Sequence, residues 1–186
     1  MVILASASPR RQELLKFIVK DFSVCPADVD ETLPEGISAE NAAEYLAVKK
    51  ARAMAENSEH MYDPVIGCDT VVILDGEIMG KPRDINCARE MLAKLSGRVH
   101  KVITGVCICS RGKQQSFSEV TEVEFYPLTE KEIEDYIKTG DSMDKAGAYG
   151  IQSEGCMLVK GIKGDFFNVV GLPVARLKRE LDKMVL

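Results

Sequence analysis

The chain has 186 residues, 46% hydrophobic and 28% charged, with a formal net charge of −5 at pH 7. This balance excludes a mainly disordered chain, and no apolar run approaches the length of a membrane-spanning helix. An acidic chain is also a poor general binder of nucleic acid, although a local cluster of cations can still hold a small anionic substrate.

In chain order, Val2 to Ala5 reads as a short buried strand. It runs into Ser6-Ala7-Ser8-Pro9-Arg10-Arg11 and then an amphipathic helix carrying Leu14, Leu15 and Ile18. Phe22 to Cys25 alternates like a strand, and the loop from Pro26 to Gly36 is acidic. Ser38 is positioned to cap a long helix to about Ala55. Val65 to Cys68 reads as a strand ending at Asp69, and Val71–Leu74, Asp75-Gly76 and Glu77–Met79 form a hairpin signal. A helix is expected from Asp84 to Leu95. Two long strands follow, Val99–Cys109 and Gln115–Phe125, joined through Arg111-Gly112. Thr129 and Glu132 form a capping box for the next helix. Met157–Ile162 reads as a strand, and Pro173 to Met184 as a final helix. Strands alternating with helices, plus a long hairpin, predict an α/β fold with a mixed, twisted sheet and flanking helices. The expected organisation is one domain over residues 1–186, with room for two lobes around a central cleft.

The six cysteines show no Cys-x-x-Cys spacing, and His60 and His100 are too far apart in sequence for ligand spacing, which speaks against zinc. Met1-Val2-Ile3-Leu4 enters a strand directly, without the pattern of a signal peptide. The expectation is a cytoplasmic protein with reduced thiols.

Several residues are candidates for chemistry. With Ser8 as cap and Pro9 at the first helical position, Arg10 and Arg11 occupy the first turn, where the helix is already positive. A bound phosphate reverses that penalty, so Ser6, Ser8, Arg10 and Arg11 form a candidate phosphate cradle; the plain alternative is an ordinary cap with two solvated arginines. Lys50 emerges from an apolar helical face, with Leu46, Ala47, Ala53 and Met54 as neighbours. It either snorkels to solvent or points into a cleft. Lys49, on the face of Tyr45 and Arg52, reads as more exposed. Asp69, read as a strand terminus and followed by Thr70, stands where open α/β sheets place ligand chemistry. Lys81 sits on a rigid Gly80-Lys81-Pro82 turn. Asp30-Glu31 could offer oxygen ligands to a divalent metal, or be merely solvated. Asp144 to Gln152 is rich in small residues. The Gln152 amide pairs one donor with one acceptor, complementary to uracil or thymine. No Ser-His-Asp arrangement is legible, and Arg98 and His100 read as supporting residues.

Taken in order, Ser6-Ala7-Ser8-Pro9-Arg10-Arg11, Leu46-Ala47-Val48-Lys49-Lys50-Ala51, Asp69-Thr70, Gly80-Lys81-Pro82, Ser96-Gly97-Arg98-Val99-His100, Thr104-Gly105, Lys145 to Gln152 and Gly171-Leu172-Pro173 resemble the Maf family. The resemblance runs from residue 3 to about residue 176. It implies an α/β fold related to the inosine triphosphatases, a cytoplasmic setting, a divalent metal and a homodimer. It also implies hydrolysis of a nucleoside triphosphate to the monophosphate and pyrophosphate. The intact Tyr149-Gly150-Ile151-Gln152 is similar to the branch acting on dTTP and UTP. Matched residue by residue, Asp69 takes the place of the catalytic acid/base, and Arg10, Thr70 and Gln152 the places that influence substrate choice. Lys50 and Lys81 are expected beside Arg10 and Arg11 around the triphosphate. Glu31 and Asp69 are the expected ligands of Mg²⁺, with Mn²⁺ or Co²⁺ as alternatives. Two departures are Cys68, where alanine is usual, and Ser153-Glu154, where many relatives have glycine. The alternatives are the same chemistry on purine triphosphates, or a non-catalytic, nucleotide-binding regulator of cell division, since the family name derives from septum formation. Modified pyrimidine triphosphates also fit such a pocket. No nucleic-acid or membrane partner is expected.

Overall fold

The first strand and the start of the third follow from short apolar runs, and a computed structural model describes residues 1–56 and 63–185; His60 lies outside them. The strands are β1 (Val2–Leu4), β2 (Phe22–Val24), β3 (Val65–Leu74), β4 (Glu77–Met79), β5 (Val99–Ser110), β6 (Lys113–Phe125) and β7 (Val159–Lys163). Their order is β2-β1-β3-β5-β6-β7, with β4 on β3. β1 pairs in parallel with β2 and β3, whereas β4 on β3 and β7 on β6 are antiparallel, so the sheet is mixed as expected. The helices are α1 (Pro9–Leu15), α2 (Ala39–Ala55), α3 (Ile85–Leu95), α4 (Glu130–Lys138), α5 (Phe166–Val170) and α6 (Val174–Val185). Among the described residues, no helix is long and apolar enough to cross a membrane.

The chain forms two compact units. The first comprises residues 1–70, 104–119 and 171–186, and the second residues 71–103 and 120–170. In the first unit, α2 lies on a core of Ile3, Ala5, Val65, Cys107 and Cys109 through its own Ala47 and Ala51. Two glycines let it come close. A Cβ on Gly67 would stand 2.3 Å from the Ala47 carbonyl oxygen, and one on Gly105 2.3 Å from the Ala43 carbonyl carbon. Backbone therefore packs on backbone at both points.

In the second unit, the β3–β4 turn uses Asp75 and Gly76, both at positive φ (53° and 84°), the pattern a two-residue hairpin requires. Asp84 caps α3 by accepting from the Cys87 amide at 2.7 Å, and Thr129 with Glu132 forms the expected capping box on α4. Buried Asn168 on α5 donates from Nδ2 to the Val102 carbonyl at 3.0 Å and to Thr121 Oγ1 at 2.9 Å.

Three sequence expectations need correction. α1 stops at Leu15, short of Ile18, because the Phe17 and Ile18 amides bond back only three residues, to Leu14 and Leu15. β3 does not end at Cys68; it runs unbroken through Asp69 and Thr70, because the neighbouring strands extend its ladder past the polar pair. β7 starts at Val159, two residues later than expected, since Glu154–Leu158 coils into a 3₁₀ turn. The short α5 had no readable signal.

Candidate active site

The turn between β1 and α1 is a helix cap. Ser8 Oγ accepts from the Arg11 amide at 3.5 Å, and Pro9 opens the helix without an acidic residue in its first turn. Arg11 bends back across this turn. Its Nε donates to the Gly171 carbonyl (2.9 Å), its Nη1 to Ser6 Oγ and the Cys68 carbonyl (both 3.0 Å), and its Nη2 to Thr70 Oγ1 (2.9 Å). One guanidinium fork thus ties the end of β1, the middle of β3 and the segment before α6 together, as its fixed planar geometry allows. Thr70 Oγ1 is also 2.9 Å from Thr104 Oγ1, on β5. Arg10, the next residue toward the helix start, is half-buried.

On β3, Gly67 and Asp69 share one face because side chains alternate along a strand. Gly67 admits α2, and Asp69 then meets Lys50 one turn along the helix. Lys50 Nζ lies 2.6 Å from Asp69 Oδ1 and 2.7 Å from Glu31 Oε1. The Lys50 and Asp69 side chains are only 11% and 13% exposed, so the snorkelling alternative does not hold. Lys49 instead anchors the loop that presents Glu31. It donates to the Asp30 carbonyl, while Asp30 Oδ1 accepts from the Thr32 amide (2.9 Å) and hydroxyl (2.7 Å). Those bonds from Thr32 hold the exposed Asp30 carboxyl below its ordinary value.

Two carboxylates around one ammonium leave a surplus negative charge, and each keeps a second oxygen that Lys50 does not engage in these pairs. Oxygen donors of that kind suit a hard divalent cation. Among the described residues, no group of three or more His, Cys, Asp or Glu side chains is placed to hold a metal alone. Such a cation would therefore depend on further oxygens from a substrate, which is how magnesium is commonly bound.

The second unit carries Lys81 and Gln152. Lys81 is exposed just after β4, and the carbonyl of its neighbour Gly80 accepts from the Gly147 amide at 3.1 Å. Gly147 adopts φ 69°, and a Cβ there would meet Val72 at 3.0 Å, so this small-residue loop passes tightly over β3. Gln152 is exposed on the same loop, between buried Ile151 and half-buried Ser153. Sequence reasoning missed what holds that loop, a cluster of Tyr136, Asp141 and Lys145; of the three, only Lys145 carried a motif signal. Thr104 was likewise visible only as part of a motif.

His100 is not a site residue. It is 2% exposed, its Nε2 is 2.7 Å from the Tyr149 hydroxyl, and its ring packs edge-on against Phe125 and Tyr149. Its Nδ1 has no hydrogen-bond partner. Burial pushes the imidazole down from 6.5 to about 4, so the folded protein holds it neutral. The unfolded chain takes up that proton near 6.5, so stability falls as pH drops through 6.5 toward 4, by about 3 kcal/mol in full. His100→Phe is expected to flatten this slope in urea unfolding between pH 7.5 and 4.5. An unchanged slope would show that other groups carry it. Arg98, by contrast, makes a surface ion pair with Asp75 at 2.6 Å.

A mixed, seven-stranded sheet with flanking helices defines a class of fold already known. The solved structure of the Staphylococcus aureus Ham1 protein is similar in fold over 98% of both chains, with a TM-score of 0.56 and 16% sequence identity. The chain belongs to the Maf family: the family model described as Maf-like protein matches residues 1–184. Among its relatives, a protein of Clostridioides difficile (strain 630) named dTTP/UTP pyrophosphatase is 48% identical, covering 98% of this chain and 94% of its own length. One of the same name from Geobacillus sp. (strain WCH70) is 49% identical, covering 98% and 97%.

Proposed function

We propose that the chain is a nucleoside triphosphate pyrophosphatase that hydrolyses dTTP and UTP to the monophosphate and pyrophosphate. The observation that carries this reading is the Asp69–Lys50–Glu31 cluster on β3, α2 and the preceding loop, in a chain whose full-length relatives bear that name.

Water attacks the α-phosphorus in line, and pyrophosphate leaves. Asp69 orients the water and takes its proton. Lys50, Lys81 and Arg10 stabilise charge on the phosphoryl oxygens, with the Ser8 hydroxyl donating to the chain of phosphates. Arg11, with four donor contacts already made to protein groups, keeps Ser6 and Thr70 in place and adds its positive charge to the cradle. Glu31 and Asp69 would hold a divalent cation such as Mg²⁺, whose chemistry when bound is to neutralise triphosphate charge. Gln152 reads the base through its amide donor and acceptor.

A panel of canonical and modified triphosphates with Mg²⁺, with pyrophosphate separated from orthophosphate, tests the reading. Pyrophosphate with dTMP or UMP is expected. Purine turnover would retain the chemistry and refute the pyrimidine pocket; tight binding without turnover would favour a regulator. Gln152→Ala is expected to lower the preference for dTTP over CTP by about tenfold or more, because a polar site rejects a mismatched partner strongly. Unchanged preference would remove Gln152 from base reading.

A further inference from the structure

Gln152 is held from both sides. Before it, Gly150 donates its amide to the Tyr136 hydroxyl at 3.1 Å, and its carbonyl lies 3.1 Å from Ser153 Oγ. After it, the Ser153 hydroxyl donates to Asp141 Oδ2, the same oxygen that accepts from Tyr136 at 3.0 Å. Asp141 Oδ1 in turn accepts from Lys145 Nζ at 2.6 Å, and Lys145 also reaches the Asp141 carbonyl at 2.7 Å and Asp144 at 2.6 Å.

The closure is tight. A Cβ on Gly155 would stand 2.4 Å from the Gly150 carbonyl oxygen, and one on Gly150 2.5 Å from Lys145 Cε. Tyr136 is 4% exposed and the Lys145 side chain 11%. Burial acts to raise the Asp141 carboxyl, but bonds from Lys145, Ser153 and Tyr136 hold it below its ordinary value, so it stays an acceptor. A polar network this fully satisfied rigidifies the segment it closes. Ile151 is buried, which leaves the Gln152 side chain projecting from a short, pinned stretch of backbone.

We propose that Ser153, acting with Asp141 and Tyr136, is a positioning residue that pins the backbone on either side of Gln152, restricts where its side-chain amide can reach, and so governs nucleotide choice without touching the nucleotide. The inference rests on the base-reading role proposed for Gln152. Its physical basis is preorganisation: a backbone already pinned beside the reading residue loses less freedom when the base arrives, and the amide it carries discriminates more sharply between bases of opposite hydrogen-bonding pattern.

Steady-state kinetics on dTTP and CTP with Mg²⁺, for Ser153→Ala, Ser153→Thr, Gln152→Ala and the Gln152→Ala/Ser153→Ala pair, tests it. Ser153→Ala is expected to lower the kcat/KM ratio of dTTP over CTP about fivefold, the worth of one ordinary hydrogen bond. The change should fall on KM, with kcat moved less than about twofold, and Ser153→Thr should keep the ratio because it keeps the hydroxyl. The double variant should discriminate no worse than Gln152→Ala alone, since both changes act through one amide. Wild-type discrimination in Ser153→Ala, or losses that simply add in the pair, overturns the proposal while base reading by Gln152 stands. If Gln152→Ala itself discriminates as the wild type does, the base-reading role fails and this inference fails with it. Ser153 is half-exposed on a loop, so its truncation tests the lock without the cavity that a Tyr136 variant would open.

Discussion

Asp69→Asn is expected to lower turnover at least about a hundredfold, the usual worth of a positioned general base. The substitution keeps the size of the side chain and an oxygen that can still accept from Lys50 Nζ, now 2.6 Å away. What it removes is the negative charge and the basicity. Lys50 keeps Glu31 at 2.7 Å as a partner, so its charge is not stranded and the fold should survive. Thermal unfolding of the variant, measured beside its kcat, separates lost chemistry from lost structure. A folded variant with near-normal turnover would take Asp69 out of the mechanism.

The second large effect is expected at a residue with no functional group. In Gly67→Ala the new methyl would lie 2.3 Å from the Ala47 carbonyl oxygen and 2.6 Å from the Ala51 amide nitrogen. Neither is the tip of a flexible side chain, so α2 must lift from β3. Overpacking of this kind costs about 1–3 kcal/mol, and contact with backbone on both sides puts Gly67→Ala at the upper end. Lifting α2 also carries Lys50 away from Asp69, so the folded fraction should lose activity as well. Gly161→Ala is the control: no atom lies within 4 Å of its Cβ position, and its stability should move by less than about 0.5 kcal/mol. Urea unfolding of both variants checks the pair. Wild-type stability in Gly67→Ala would mean that α2 does not depend on this close approach.

Much of the fold and the candidate site could be read along the chain, and the misreadings share a cause. Signals carried by neighbours in sequence came through: the Asp75-Gly76 turn, the Thr129–Glu132 capping box, the Ser8-Pro9 helix start. Each is a contact between residues two to four apart, so local chemistry specifies it. The Arg111-Gly112 turn likewise marked the junction of β5 and β6. By contrast, reading Asp69 as the end of a strand failed because two polar residues look like a terminus in one dimension. A sheet supplies ladder partners from distant segments, and these carry β3 through Asp69 and Thr70.

The same distinction runs through the site. Residue types and spacing alone marked Lys50, Asp69, Glu31, Arg11 and Gln152 as chemically notable, and the order of motifs pointed to the Maf family. Periodicity left Lys50 poised between solvent and a cleft. Its burial against Asp69 and Glu31 depends on Gly67 and Gly105 admitting α2, a contact between segments about twenty and sixty residues apart in sequence. Arg11 looked like half of a phosphate cradle and is also a strut reaching Gly171, 160 positions away. Tyr136, Asp141 and Ser153 carried no shared spacing, yet they meet at Gly150 and pin the backbone on either side of Gln152. Propensity, capping and turn geometry are short-range and can be read from neighbouring residues. Pairing of buried charges and close approach of backbones depend on which distant segments meet, and that is settled only when the whole chain packs.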